Sequence, residues 1–120
     1  NKIYFMHCVS SYPLEEMNVN FPKLIKINNL HNKIGYSGHL NGISDAVAAI
    51  SLGAMVVEKH FTIDNDLPGR DNKFALLPKD MKKICDYRNT FFNMSIDRGL
   101  DVQECEIDIN KNYRGRWSKD

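Results

Sequence analysis

The chain has little of what marks several common protein classes. Its 3 cysteines, Cys8, Cys85 and Cys105, are an odd number at wide spacing without a C-x-x-C pair, which argues against a disulfide framework and a zinc knuckle. We therefore expect a reduced, cytoplasmic setting, with Cys8 and Cys85 as small core residues. The 16 basic and 15 acidic residues nearly cancel, and the basic ones are scattered. This balance gives no reason to expect nucleic acid or an acidic membrane as a partner.

Long apolar runs are also missing. No segment approaches the ~20 apolar residues that a membrane-spanning helix needs, and no signal peptide is visible. The 120 residues suffice for one small domain with one core. The chain starts at Asn1 directly before a strand-like segment, without an initiator methionine, so we expect a piece of a longer protein.

What the sequence does contain is an alternation of strand-like and helix-like segments. Buried strands are predicted at three places: Ile3–Cys8, Lys33–His39 and Ala54–Phe61. Helices are predicted to begin near Asn20, near Gly42 and at Pro78, with a polar loop at residues 28–32. The order βαβαβα predicts a parallel sheet with right-handed crossovers. Three units cannot close a barrel, so either further strands lie outside this chain or the fold is a small open sheet.

Each predicted strand has a histidine at its end or one residue before it, namely His7, His39 and His60. Because the carboxyl ends of parallel strands meet at one edge, three histidines there predict a site for a metal or an anionic substrate. Strand alternation places His39 on the face of Ser37 and His60 on the face of Glu58. If the histidine faces all look inward, three histidines, a serine and a glutamate converge.

The ordinary role of a single histidine at a strand end is structural. Neighbouring strands lie only about 4.8 Å apart, however, so His39 and His60 together are favoured as ligands of one shared ion. For His7, which shares its predicted face with Phe5, a supporting role beside the ligands and a structural role both stay open. His31 lies in the predicted polar loop and is expected to be structural. Lys59, on the opposite face, is expected to extend between helices.

Five blocks of sequence in order carry a resemblance to a known family. They are residues 7–13 (HCVSSYP), 35–39 (GYSGH), 52–54 (LGA), 58–62 (EKHFT) and 68–71 (PGRD). Over residues 1 to about 98 the chain resembles the N-acetylneuraminate (sialic acid) synthase family. Any one block alone would be weak, whereas five blocks in order are specific.

The resemblance implies a partial (β/α)8 TIM barrel, an α/β fold, of which this chain forms the last three βα units. Residues 1–98 would be these units and residues 99–120 a tail or linker. The implied enzyme is a transferase that condenses phosphoenolpyruvate with an N-acylated amino sugar, releases phosphate and yields a nonulosonic acid. The implied parent is a homodimer, because the family's C-terminal antifreeze-like domain caps a neighbour's site. The fragment alone is expected to be inactive, since the lysines that grip phosphoenolpyruvate lie on earlier strands.

The resemblance also implies roles for individual residues. His39 and His60 match the two ligands of a divalent metal, Mn²⁺ or Mg²⁺. Ser37 matches the serine that contacts phosphoenolpyruvate. Acceptor-binding positions match Ser10, Tyr12 and Asp71, and Asp71 is the expected catalytic residue because it can fix the orientation of the sugar.

Two departures from the family pattern bear on function. Ser10 stands where several members have asparagine, and Gly38 replaces the aspartate of the common Ser-Asp-His form, although some members carry Ser-Gly-His. Two other interpretations therefore remain open. One is a catalytically silent truncated barrel module that keeps the metal histidines by descent, and the other is a different metal-dependent (β/α)8 lyase or aldolase.

Overall fold

A computed structural model of the chain describes residues 3–113 and 115. The three strands are β1 (Phe5–Cys8), β2 (Ile34–Gly38) and β3 (Val56–Lys59). The helices are α1 (Phe21–Leu30), α2 (Ser44–Ser51), α3 (Pro78–Met94) and α4 (Ile107–Tyr113). Short 3₁₀ turns lie at Glu16–Asn18, Arg70–Lys73 and Glu104–Glu106. No helix among the described residues is both long and apolar enough to cross a membrane.

The strands form a parallel sheet in the order β1-β2-β3, as the alternation of elements predicts. The predicted strands and helices are all present, but each strand is shorter than predicted. Two local predictions for α1 are wrong. Asn20 adopts a left-handed conformation with φ of 55°, and in the described chain its side chain makes no cap hydrogen bond. The helix also runs through most of the predicted loop, to Leu30.

The core lies on one face of the sheet, which we call the helix face. One cluster packs α1 and α2 against β2 and includes Leu24, Ile34 and Tyr36. A second cluster packs α2 against α3 and includes Ala46, Ile50 and Ile84. On the opposite side, the inner face, Val56 remains 39% exposed. Apolar side chains on both faces are typical of parallel strands that a larger fold covers on both sides.

The predicted core role of Cys85 is wrong. Cys85 lies on the exposed side of α3, one residue after the buried Ile84, whereas Cys8 is half-buried. Cys105 is exposed, and all three cysteines are free. Successive residues of a helix point about 100° apart, so Cys85 faces solvent although Ile84 is buried.

The predicted inward direction of His7 and Phe5 is also wrong. The register pairs His7 with Tyr36 and Phe5 with Ile34, both on the helix face. Met6 instead shares the inner face with Gly35, where its Sδ occupies the place that a Cβ on Gly35 would need. The reason is the register, because His7 lies level with Tyr36, three residues before His39, and residues an odd number apart on a strand point to opposite faces. A shift of one residue exchanges the two faces of a strand.

A buried polar network crosses the helix face beneath the carboxyl ends of β2 and β3. The Tyr36 hydroxyl donates to Oδ2 of Asp45 at 3.1 Å. The Lys59 ammonium lies 2.9 Å from Oδ1 of the same carboxylate, and the two side chains are 3% and 0% exposed. Lys59 therefore does not extend between helices to solvent as predicted, because Asp45 of α2 neutralises it inside the core. Burial, and then the neighbouring Asp45 carboxylate, raise the pKa of Tyr36 far above its usual range.

This network predicts an unusual response of Tyr36 to alkali. A raised pKa in the folded state favours the neutral phenol, so its stabilising contribution is present below the unfolded pKa of about 10 and is lost as the pH rises further. Tyr36→Phe should therefore leave the near-ultraviolet phenolate titration of the folded protein unchanged up to the onset of alkaline unfolding. Loss of one tyrosine's amplitude before unfolding would contradict the described environment.

Candidate functional site

Two histidines lie side by side at the carboxyl edge of the sheet. His39 follows β2 and His60 follows β3, each one residue past its strand. The register pairs Gly38 with Lys59, so the next residues of both strands are the two histidines. Their ring centroids are 5.4 Å apart with the planes at 63°. The sequence prediction that these two imidazoles lie close together is therefore correct in its geometry.

Hydrogen bonds fix the tautomer of His39. Its Nδ1 lies 2.8 Å from the carbonyl oxygen of Val9, and a carbonyl can only accept, so Nδ1 carries the proton. The lone pair is then on Nε2, which lies 2.9 Å from the Tyr12 hydroxyl. His39 is 5% exposed. An imidazole held by a backbone carbonyl at one nitrogen presents the other as a metal ligand or hydrogen-bond acceptor.

His60 is held from the long connection between β3 and α3. Its Nδ1 lies 3.5 Å from Oδ2 of Asp71, whose side chain is 62% exposed. The backbone oxygen of His60 accepts from the N–H of Leu76 at 2.8 Å, so the part of the connection just before α3 is hydrogen-bonded to the end of β3. A carboxylate beside Nδ1 favours protonation of that nitrogen and leaves Nε2 for a ligand. Asp71 thus lies at the predicted site, where it approaches a histidine.

An aromatic wall, formed by Tyr12 and Phe74, lines the two histidines. The Tyr12 ring lies 4.2 Å from that of His39 and 5.6 Å from that of Phe74, measured between centroids. Phe74 lies 5.4 Å from the ring of His60. These rings restrict the imidazoles sterically and give the site an apolar side.

Ser37 and Ser10 mark the rest of the edge. The Ser37 hydroxyl, on the inner face, donates to Oε1 of Glu58 at 3.0 Å. This contact places the predicted serine and glutamate together, one row below the histidines. Ser10 is exposed in the segment after β1, with its Oγ 3.6 Å from Sγ of Cys8. The structure therefore brings Tyr12, Ser37, His39, His60 and Asp71 to one edge and leaves Ser10 at the exposed rim beside them.

The other two histidines do not belong to this site. His7 is 1% exposed on the helix face, where its Nε2 donates to the carbonyl oxygen of Val19 at 2.7 Å. His31 packs edge-on against Phe5, with ring centroids 4.5 Å apart. The convergence of three histidines predicted from the sequence is therefore wrong, since only two reach the edge.

The donor set of the pair fits a divalent metal with open coordination positions. Within residues 3–113 and 115, no group of three or more histidine, cysteine or carboxylate residues is arranged to hold an ion. Two imidazoles, each with a partner at Nδ1, could bind a divalent transition metal that completes its shell with water or substrate oxygens. The residues that could hold such an ion are His39 and His60.

Sequence reasoning missed two features of the site. Phe74 carried no signal beyond being an aromatic residue in a long connection. The Asp45–Lys59 pair was obscured because its members are 14 residues apart on different elements. An aspartate in the first turn of an alanine-rich helix is normally interpreted as a charge that stabilises the helix N-terminus. Only side-chain alternation along β3, which places Lys59 on the helix face, could have indicated the pair.

Comparison with known proteins places this geometry in a family. The NeuB family profile matches residues 1–97. The chain is 38% identical over 84 residues to N,N'-diacetyllegionaminic acid synthase of Campylobacter jejuni, which covers 69% of the chain and 25% of that protein. It is 42% identical over 89 residues to the spore coat polysaccharide biosynthesis protein SpsE of Bacillus subtilis, with 72% and 24% covered.

A solved structure agrees with the sequence matches. The crystal structure of N-acetylneuraminic acid (sialic acid) synthetase from Leptospira borgpetersenii, in complex with citrate, superposes with a TM-score of 0.77 at 30% identity, over 92% of this chain and 40% of that one. The chain spans about a quarter of the length of the curated relatives that it matches. The profile match over residues 1–97, together with these relatives, shows that the chain belongs to the NeuB family.

Proposed function

We propose that this chain forms the last three βα units of a (β/α)8 barrel enzyme that condenses phosphoenolpyruvate with an N-acylated amino sugar. Residues 1–98 would supply these units and residues 99–120 a tail or linker. The observation that carries the proposal is the pair of imidazoles, His39 and His60, at the carboxyl edge of a parallel sheet in a NeuB family chain. In a (β/α)8 barrel this edge is where substrates bind.

The inner face supports the barrel arrangement. Val56 and the carboxylate-bearing Glu58 are exposed on this face, while β2 is buried along its length. Further strands beside β1 and β3 would close the sheet and cover these residues, as barrel closure requires. The complete enzyme would be a cytoplasmic homodimer.

His39 and His60 would hold a divalent metal, Mn²⁺ or Mg²⁺. A metal bound there supplies Lewis-acid polarisation of the acceptor's carbonyl group. The chain's own contribution is orientation, since Val9 fixes the tautomer of His39 and Asp71 lies beside Nδ1 of His60. The aromatic wall of Tyr12 and Phe74 would keep bulk water away from one side of the reacting groups.

The two substrates would lie on opposite sides of the histidines. Ser37, buried on the inner face and hydrogen-bonded to Glu58, would contact phosphoenolpyruvate. The acceptor sugar would lie at the rim among Ser10, Tyr12 and Asp71. The exposed carboxylate of Asp71 is free to accept hydrogen bonds from sugar hydroxyls while it stays near His60.

The proposed reaction forms one C–C bond. The enol carbon of phosphoenolpyruvate attacks the aldehyde carbon of the open-chain sugar, and the aldehyde oxygen takes up a proton. Water adds at the resulting cationic carbon, and inorganic phosphate leaves with the bridging oxygen. The product is a nonulosonic acid. Asp71 would contribute by fixing the orientation of the acceptor, which is a proximity effect.

Metal binding provides the first test. In the complete barrel, His39→Ala should lower turnover by roughly a thousandfold, since a Lewis acid contributes several kcal/mol. His31→Ala is the matched control, because His31 packs against Phe5 away from the edge, and should be nearly silent. The measurements are Mn²⁺ affinity by titration and phosphate release. Full activity of His39→Ala after strict chelation would overturn the metal assignment.

The division of the site into two substrate sides provides the second test. Asp71→Asn keeps the size and removes the charge, so it should lower kcat about 10- to 100-fold with little change in KM for phosphoenolpyruvate. Ser37→Ala should mainly raise that KM by about tenfold, which corresponds to one lost hydrogen bond of about 1.4 kcal/mol.

The assay is phosphate release with phosphoenolpyruvate and a panel of N-acyl hexosamines. The same kinetic change in both variants would show that the two-sided arrangement is wrong. Release of phosphate with a different aldehyde but with no hexosamine would favour another metal-dependent lyase or aldolase. A complete barrel that binds Mn²⁺ but turns over none of these substrates would favour a silent module.

A further inference from the structure

The buried Lys59–Asp45 pair touches the backbone of both strand ends that carry the candidate ligands. Lys59 is the residue immediately before His60, and its Nζ donates to the carbonyl oxygen of Leu40 at 2.6 Å. Leu40 is the residue immediately after His39. One ammonium group therefore ties the end of β3 to the end of β2 directly behind the two imidazoles.

Leu40 extends this tie to the segment that holds the His39 ring. Leu14 forms a parallel bridge with Leu40, and the N–H of Leu14 donates to the carbonyl oxygen of His39 at 3.3 Å. Two residues before Leu14 is Tyr12, whose hydroxyl contacts Nε2 of His39. A displacement of the Leu40 carbonyl would therefore be expected to shift two contacts of His39, the backbone hydrogen bond from Leu14 and the ring contact with Tyr12.

Asp45 holds Lys59 in place. Its two oxygens accept from Nζ at 2.9 and 3.0 Å, and Oδ1 also accepts from the N–H of Ala46 at 2.8 Å. The pair is almost fully buried, so each charge depends on the other for compensation. A buried ion pair adds little net stability compared with apolar residues of similar volume, but it fixes geometry where its hydrogen bonds are all satisfied.

The network packs directly against Gly38. A Cβ on Gly38 would clash with Oδ2 of Asp45 and would lie 2.7 Å from Cε1 of Tyr36 and 3.0 Å from Cδ of Lys59. The space next to Gly38 on the helix face is therefore filled by the network itself. Position 38 requires glycine because a Cβ there would clash with the Asp45 carboxylate of α2.

We propose that Lys59 and Asp45 are positioning residues for the two-histidine site, with Lys59 setting the place of His39 through the Leu40 carbonyl. The pair does not touch substrate. The importance of the pair for catalysis rests on the proposed function, whereas its mechanical effect on His39 does not.

The test replaces the network without leaving a buried charge. The triple variant Tyr36→Phe, Asp45→Leu and Lys59→Met removes the phenol, carboxylate and ammonium together, so packing is retained while the Leu40 carbonyl loses its donor. Lys59→Arg is the second variant, because it keeps the charge that Asp45 needs but presents a planar guanidinium in place of the compact ammonium. The control is Lys82→Met with Asp86→Leu, which removes an exposed ion pair on α3.

The first readout is solvent exchange of the His39 Nδ1–H in ¹⁵N-histidine spectra of the metal-free complete protein. We expect about tenfold faster exchange in the triple variant, a smaller acceleration in Lys59→Arg, and no change in the control. The second readout is Mn²⁺ affinity, which should weaken about 10- to 100-fold in the triple variant, as is typical when a partner that orients a ligand is lost.

Unchanged exchange and unchanged Mn²⁺ affinity in a folded variant would overturn the inference. If the triple variant does not fold, the same two measurements on Lys59→Arg decide whether the inference holds. If the unmodified protein binds no Mn²⁺, the proposed function fails, and the exchange measurement still decides whether Lys59 positions His39.

Discussion

The parallel register between β2 and β3 is the constraint on which the candidate site depends. It pairs Gly38 with Lys59, and the next residue of each strand is a histidine. Because neighbouring parallel strands end at the same edge, this register alone puts His39 and His60 side by side, with ring centroids 5.4 Å apart. A slip of one residue would turn one imidazole to the opposite face, and the pair would be lost.

The structure protects this register from the helix side. The first helix-face row below the histidines contains Gly38 and Lys59, and behind it lies the carboxylate of Asp45. Slipping β3 would carry the ammonium away from Asp45 and the Leu40 carbonyl, leaving buried charges without these partners. A buried ion pair adds little to the free energy of folding, but it strongly disfavours alternative strand registers in which its charges lose their partners. The chain belongs to the NeuB family, and its two histidines lie at the carboxyl ends of paired parallel strands.

Much of this fold follows from local sequence patterns. The alternation of apolar segments and the glycine and proline signals predicted three strands and the main helices in the right order. The pairing of His39 with His60 followed from side-chain alternation in two strands that end at equivalent residues. The failure at His7 has a physical cause, since β1 pairs with β2 in a register that sets His7 level with Tyr36, three residues before His39, and an odd offset places it on the opposite face. No local pattern encodes that offset.

Long-range contacts explain the remaining differences. Asp45 and Lys59 meet only because α2 packs over the end of β3, and Phe74 reaches His60 only because the connection after β3 folds back along it. Cys85 was misplaced because the packing angle of α3 decides which positions beside Ile84 are covered. Family resemblance named the site residues, but their contacts with Val9, Glu58 and Phe74 depend on tertiary structure.

The central proposal is that His39 and His60 bind the same metal ion through Nε2. Electron spin echo envelope modulation of Mn²⁺ bound to the complete barrel tests this most directly, because it detects imidazole nitrogens coupled to the ion. The account predicts two coupled imidazoles in the unmodified protein and one after His60→Gln. Modulation from no imidazole, or a spectrum that His60→Gln leaves unchanged, would contradict it.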